Sequence, residues 1–300
     1  GPGPSSFLRE GSQRAFRLGL SSRPLATMAR GTCGMAALLV VAVVAVAVAP
    51  VSAKRCVFLH GAGQDPSTVG PPTATDTDKY WGGDDIMKYL PSSCTETVFN
   101  HDDTVTLRFD SDTLMDNYCN VASDGSGTIT DSIVFTHSMG NNIFAAALRA
   151  GRCKIDHSTS DWYSASSPGA GSKAANWVDH ICANNATNGE ALRELADLLH
   201  YCQKDDPRLP NEAYVSLKTS YPGLEGLKET LKQETSGAMC GTSDWGLTSK
   251  YSILFEALSK LVGYGEDNDG MVGIDSCLLD GVTYGDSPDS DFYQASINHA

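Results

Sequence analysis

FTHSMGNNIF, residues 135–144, sets a serine between His137 and Met139, with Gly140 two positions later and an apolar run before it. This is the outline of a nucleophile elbow, G-x-S-x-G, in which a strand turns sharply into a helix and presents the serine at the bend. Thr136 stands where the first glycine belongs. The positions two before and two after the serine must be small, because the serine backbone at such a bend is strained. Gly140 meets the demand fully, and Thr136, short and β-branched, suits the end of a strand. On the pentapeptide alone two readings stand: a nucleophile with Thr136 as a tolerated replacement, or a structural Ser-Gly turn.

The surroundings of the motif favour the nucleophile. Acyl transfer at such a serine needs two backbone N–H donors for the oxyanion, one just after the serine and one from an earlier loop. Met139 supplies the first. Residues 55–60, RCVFLH, read as a buried strand that runs into Gly61-Ala62-Gly63, and this His60-Gly61-Ala62-Gly63 turn offers the second donor at Ala62. Chain order then asks for an acid and, after it, a histidine. His157, His180, His200 and His299 come after Ser138, and the acids of interest lie in GEDNDGMV, residues 265–272. Asp269 ranks first because Gly270 permits a sharp turn after it; Asp267 ranks second and Glu266 third. Only His299 lies beyond that loop. The base must take the serine proton and the acid must hold the correct imidazole tautomer. His299 is the penultimate residue of the sequence, with little chain behind it to hold the ring, and chain ends are commonly disordered.

HGAG, HSMG, GEDNDGMV with Cys277 shortly after it, and Asn298-His299 together resemble the α/β-hydrolase lipases, above all the bacterial true triacylglycerol lipases. WYSASSPGAGS, residues 162–172, is similar to the strand and Pro/Gly-Ser turn that come after the elbow in lipases and in lipase-like inositol deacylases of GPI anchors. The likeness spans roughly residues 55–182 and 236–299 and leaves the stretch between unmatched. It implies Ser138 as nucleophile, Asp269 as acid, His299 as base, and Ala62 and Met139 as oxyanion donors. Thr136 departs from the pattern, as does the absence of the acid and helix that such lipases carry after the histidine. These lipases also hold a structural calcium near the acid loop; Asp244 would match one ligand, and the other would lie past residue 300. No cofactor is expected for the chemistry itself. DGSGTI, residues 124–129, echoes a calcium loop, but aligning Gly127 with the invariant glycine puts Ala122 and Ile133 at the two terminal acid positions, so it reads as a turn.

The remaining sequence is organised as an α/β domain. Strand-like runs at 55–60, 97–100, 132–136 and 161–165 alternate with helical ones, which indicates a mostly parallel central sheet flanked by helices. The pattern changes over about 188–235. There EALRELADLL has helical spacing, and Pro207, Pro210 and Pro222 break up the rest of the segment, so an inserted helical cap is expected. The alternation resumes near Ser236, with a helix over 253–262.

Met28-Ala-Arg30, the apolar run Met35 to Ala49 and the small residues up to Ala53 describe a secretory signal peptide over 28–53. The run falls short of the roughly 20 residues that a permanent membrane span needs. Residues 1–27 precede the first methionine and are expected to play no part in the fold. The catalytic domain is then 54–300. The whole sequence has a formal net charge of −14; without residues 1–53, which hold five arginines and one glutamate, 17 basic and 35 acidic residues leave −18. Nucleic acid and anionic membranes both want basic clusters, so neither is an expected partner. With Cys33 in the signal, eight cysteines remain: Cys56, Cys94, Cys119, Cys153, Cys182, Cys202, Cys240 and Cys277. An even, widely spaced set without C-x-x-C reads as disulfides in an exported chain, with the pairing open. Asn185-Ala186-Thr187 is a glycosylation sequon.

These observations lead to a secreted serine hydrolase of carboxylic esters, small-molecule or more specifically lipid, working through an acyl-enzyme. The rivals are an inositol deacylase of GPI anchors or an acyltransferase, and, from another class, a binding protein that kept the scaffold and lost catalysis. Oligomeric state has no signature in the sequence.

Overall fold

The computed structural model describes residues 53–64, 79–184, 190–249 and 251–300. The expected signal segment up to residue 52, residues 1–27, Cys33 and the sequon at Asn185 lie outside the described residues. In chain order the elements are β1 (Lys54–Leu59), β2 (Cys94–Phe99), α1 (Asp112–Ser123), β3 (Thr128–Ile129), β4 (Ser132–His137), α2 (Met139–Arg149), β5 (Lys154–Ile155) and β6 (Asp161–Ala165). They continue with α3 (Val178–Ala183), α4 (Glu190–Leu198), α5 (Glu212–Ser216), α6 (Leu227–Glu234), β7 (Gly237–Gly241), α7 (Ser252–Val262), α8 (Ile274–Cys277) and β8 (Phe292–Ala295).

Six strands form one sheet in the order β2-β1-β4-β6-β7-β8, and β3 pairs with β5 in a small ribbon. Every neighbouring pair in the large sheet is parallel. The chain leaves β1 for one edge at β2, then crosses back to β4 on the other side. In open parallel sheets a ligand crevice forms outside the carboxyl ends of the strands at such a switch. Here those ends are His60-Gly61-Ala62 after β1 and Ser138 after β4.

The register is set by side-chain size. On one face Phe99, Phe58, Phe135 and Tyr163 fall opposite one another across four strands and stack with centroids 5.0, 4.9 and 5.9 Å apart. A one-residue slip would send this row to the opposite face, so the row fixes the register. On the other face Val57, Leu59, Val134 and Trp162 are buried with Leu114 and Tyr118 of α1 and Ile143 and Phe144 of α2. Trp162 meets Phe144 edge to face at 4.8 Å. Helix α1 starts where the Ser111 side chain accepts from the Leu114 N–H at 3.4 Å and stops at Asp124, which adopts a left-handed conformation.

Two features differ from the sequence reading. Residues 292–295 form the edge strand β8, which is not among the strand-like runs read from the sequence. Its YQAS stretch has too little apolar alternation to stand out, and pairing with β7 supplies the order that the side chains do not signal. Of the segment expected as a cap, α6 packs on α2 through buried Leu227 and Leu231, as a crossover helix does.

Disulfides join each cysteine to the next in sequence: Cys56–Cys94, Cys119–Cys153, Cys182–Cys202 and Cys240–Cys277. The first ties β1 to β2 at the sheet edge, and the last ties β7 to the helix after the acid loop. Among the described residues no helix is long and apolar enough to cross a membrane.

With a sequence separation of 37 between its cysteines, the Cys240–Cys277 bridge should contribute about 3–4 kcal/mol by the chain-entropy account. Replacing both cysteines by alanine should lower the urea-derived unfolding free energy by that amount. A thiol titration of the native unreduced protein should find residues 53–300 without reactive thiols. Titration of most of the eight would contradict the bridges.

Candidate active site

Ser138 occupies φ 52°, ψ −131° between β4 and α2, a region that a non-glycine residue keeps only when its surroundings enforce it. Its N–H donates to Ala165 O at 3.0 Å, so the last residue of β6 grips the bend. The Asn141 amide donates to Ser138 O and to Ala165 O, both at 2.9 Å. Thr136 completes this clamp. Its hydroxyl, on a residue 1% exposed, donates to Asn141 Oδ1 and accepts from the Trp162 indole N–H at 2.8 Å. Reading Thr136 as a tolerated replacement for glycine therefore misses what its side chain does. It links the buried tryptophan to the asparagine that holds the elbow.

Gly140 and Gly61 are set by space. A Cβ on Gly140 would lie 2.4 Å from His60 O, and one on Gly61 would lie 2.6 Å from Ser138 Cβ. The first turn of α2 thus presses directly on the loop that leaves β1. That loop is pinned from several sides. Asp102 N–H donates to His60 Nε2 at 3.0 Å, so Nδ1 carries the proton and donates to Gly61 O at 2.9 Å. The Thr104 hydroxyl donates to Gly61 O at 2.7 Å, and the Tyr118 hydroxyl to His60 O at 2.7 Å. Gly63 N–H donates to Thr104 O at 3.2 Å and Gln64 N–H to Thr104 Oγ1 at 3.1 Å. These bonds commit the amides after Ala62 and leave Ala62 at the apex of the loop. Met139 begins α2, where the first N–H groups have no partner inside the helix.

The structure brings Ser138, His299 and Asp269 together from three distant places in the chain. His299 Nε2 lies 2.8 Å from Ser138 Oγ, and His299 Nδ1 lies 2.8 Å from Asp269 Oδ2. An ionised carboxylate only accepts, so Nδ1 carries the proton and Nε2 accepts from the serine hydroxyl. Asp269 is 1% exposed, Ser138 7% and His299 8%. Burial pushes the Asp269 carboxyl up, but the charge and hydrogen bond of His299 and the N–H groups of Val272 and Met271 outweigh it. The group stays below the usual carboxylate range. Asp269 Oδ1 accepts those N–H groups at 2.7 and 3.0 Å.

The chain around His299 holds it in place. Its own N–H donates to Asp269 O at 2.9 Å, and the Asn298 amide donates to Trp245 O at 2.9 Å, both just past β8. The alternative acids point elsewhere. Asp267 is exposed, and Glu266 pairs with Lys173 and accepts the Asp275 N–H at 3.0 Å. His157 pairs with Glu234. Asp244 is only half-buried, and among the described residues no group of three or more His, Cys, Asp or Glu side chains gathers as a metal site would need.

His137 and Tyr80 are neighbours that sequence motifs did not assign a part. The His137 ring lies 4.8 Å from that of His299, and its Nδ1 shares a 2.6 Å hydrogen bond with the Tyr80 hydroxyl. Burial, and next the charge of His299, push the His137 pKa down to about 3. It is neutral at neutral pH.

No family model matches the chain, and no curated protein matches it by sequence. Solved structures do. A lipase of Bacillus licheniformis in its mature form is 14% identical, with 83% of this chain and 85% of that one covered and a TM-score of 0.51. A carboxyl esterase from a metagenome is 16% identical over 83% and 65%, at 0.49. Lipase 1 of Pelosinus fermentans is 14% identical over 83% and 92%, at 0.44. At such identity the first likeness speaks for the fold, and together with the parallel sheet it makes this an α/β-hydrolase fold.

The lowered pKa of His137 has a signed consequence. Between about pH 6.5 and about 3 the unfolded chain binds a proton there that the native state does not. Stability should therefore fall as pH falls through this window, by about 1.4 kcal/mol per pH unit from this group. Urea denaturation at pH 6, 5 and 4 should show a slope smaller by about that amount in His137→Gln. Equal slopes in the two proteins would refute the assignment.

Proposed function

We propose that the protein is an exported serine hydrolase that cleaves carboxylic esters by a Ser138-His299-Asp269 triad. The observation that supports it most is the buried hydrogen-bonded series from Asp269 Oδ2 through the His299 ring to Ser138 Oγ, each contact 2.8 Å. A strained serine at a strand-to-helix bend and four disulfides agree with it.

In this reading Ser138 Oγ attacks the ester carbonyl carbon while its proton passes to His299 Nε2. The carbonyl oxygen becomes an oxyanion between the N–H groups of Ala62 and Met139. The bond from carbon to the alcohol oxygen then breaks, and the alcohol leaves with the proton from His299. Water repeats the sequence: it gives one proton to His299, its oxygen joins the acyl carbon, and the bond to Ser138 Oγ breaks as that oxygen recovers the proton. The products are an alcohol and a carboxylic acid. Asp269 stays ionised, fixes the tautomer and offsets the charge of the imidazolium. His137, neutral beside His299, adds no competing positive charge. Lipid and small-molecule esters both fall within this chemistry, and the acyl pocket decides between them.

With p-nitrophenyl acetate as substrate, Ser138→Ala should lower kcat by about 10⁶, because triad members act as a unit. Asp269→Asn should lower it by about 10⁴ through the wrong imidazole tautomer. Circular dichroism should show both variants folded. Activity of folded Ser138→Ala above about a tenth of wild type would remove Ser138 from its role.

A further inference from the structure

Among the described residues, the cavity at Ser138 is small. It is lined by Ser138, His299, Tyr201, Tyr214, Leu217 and Met271 and measures about 10 Å³, room for roughly one water molecule. An acyl-enzyme is bonded to Ser138 Oγ, so its acyl group must lie against this oxygen throughout deacylation. We propose that this pocket limits the acyl part of the substrate to short chains, and that Tyr201, Tyr214 and Leu217 set the limit. The proposal rests on the ester-hydrolase reading.

The walls are held, not merely present. Tyr201 is buried and lies after α4, and its hydroxyl donates to Met271 Sδ at 3.1 Å. Next to it Cys202 is bridged to Cys182 on α3. The Asn211 side chain donates to His200 O and Cys202 O at 2.7 and 3.0 Å, and its N–H donates to Tyr201 O at 2.8 Å. Asn211 therefore closes the loop around Tyr201 like a clasp. Tyr214 on α5 packs edge to face on Tyr201 at 4.6 Å and donates to Leu199 O. Leu217 O accepts the Ser172 N–H at 2.8 Å, which joins this wall to the turn after β6. Met271 is fixed as well, since its N–H donates to the Asp269 carboxylate and its carbonyl accepts the Tyr264 hydroxyl at 2.7 Å.

A longer acyl chain would have to displace a tyrosine whose loop is held by the neighbouring Cys182–Cys202 bridge and by Asn211, or overpack the pocket. Overpacking by even a few methylenes costs a factor of about 10–100 in rate. Substrates of this enzyme are thus esters of small acids, and the pocket excludes the long acyl chains of storage and membrane lipids. This narrows the lipid expectation of the sequence resemblance to lipids or other alcohols that carry a short acyl group.

The test is kcat/KM of the disulfide-intact protein with p-nitrophenyl acetate, butyrate and octanoate. Wild type should prefer acetate over octanoate by about 100-fold or more. Tyr201→Ala and Leu217→Ala each enlarge the pocket from a different segment, and each should raise the octanoate-to-acetate ratio by about tenfold or more. Wild-type turnover of octanoate as fast as acetate would overturn the proposal without need of any variant and would leave the hydrolase reading standing. Folded alanine variants with an unchanged ratio would also overturn it. If wild type cleaved none of the three esters, the hydrolase reading would fall and the pocket proposal with it.

Discussion

The backbone of Ser138, at φ 52° and ψ −131°, carries a cost of about 1–3 kcal/mol that the surroundings must offset. They do so through atoms on β4, on its neighbour β6 and on the helix α2. Ala165 O at the end of β6 takes the serine N–H, the Asn141 amide donates to the serine carbonyl, and Thr136 ties Asn141 to the indole of Trp162. The hydroxyl stands at the switch between β1 and β4, where the loop after β1 and His299 both reach it.

The other members of the site depend on that placement. Close contact between Gly140 and His60 O sets the β1 loop against α2, and this contact is possible only because the elbow turns so tightly. The acid loop and the base arrive by a different route, through the far half of the sheet. β7 and β8 lie side by side, and the chain past β8 meets the acid loop where His299 N–H donates to Asp269 O. The Cys240–Cys277 bridge spans the base of the same loop. A histidine at position 299 is thus oriented by a strand, a bridge and a backbone bond before its side chain makes any contact.

Much of this could be read from residues alone where the chemistry demands one residue type. A serine at a bend, a glycine two positions on, a second glycine turn after an earlier strand and an Asp-Gly step were legible because backbone geometry forbids most alternatives. An even cysteine count indicated bridges, while their pairing depends on which elements lie side by side. β8 was not legible, since an edge strand with polar residues gains its order from its neighbour β7. The role of Thr136 escaped because its partners, Trp162 and Asn141, sit on other elements. Nor could the size of the pocket be read, because Tyr201 and Tyr214 come from the segment with the least regular pattern.

Catalysis stands or falls on whether Ser138 is nucleophilic in the folded protein. Treatment of the native chain with a small fluorophosphonate, followed by peptide mass spectrometry, asks this directly. The phosphonyl group should be found on the peptide containing Ser138, at one label per molecule, and labelling should vanish when the protein is first unfolded in urea or when His299 is replaced by alanine. An unlabelled Ser138 in the folded protein, or equal labelling of Ser138 in the folded and unfolded chain, would contradict it.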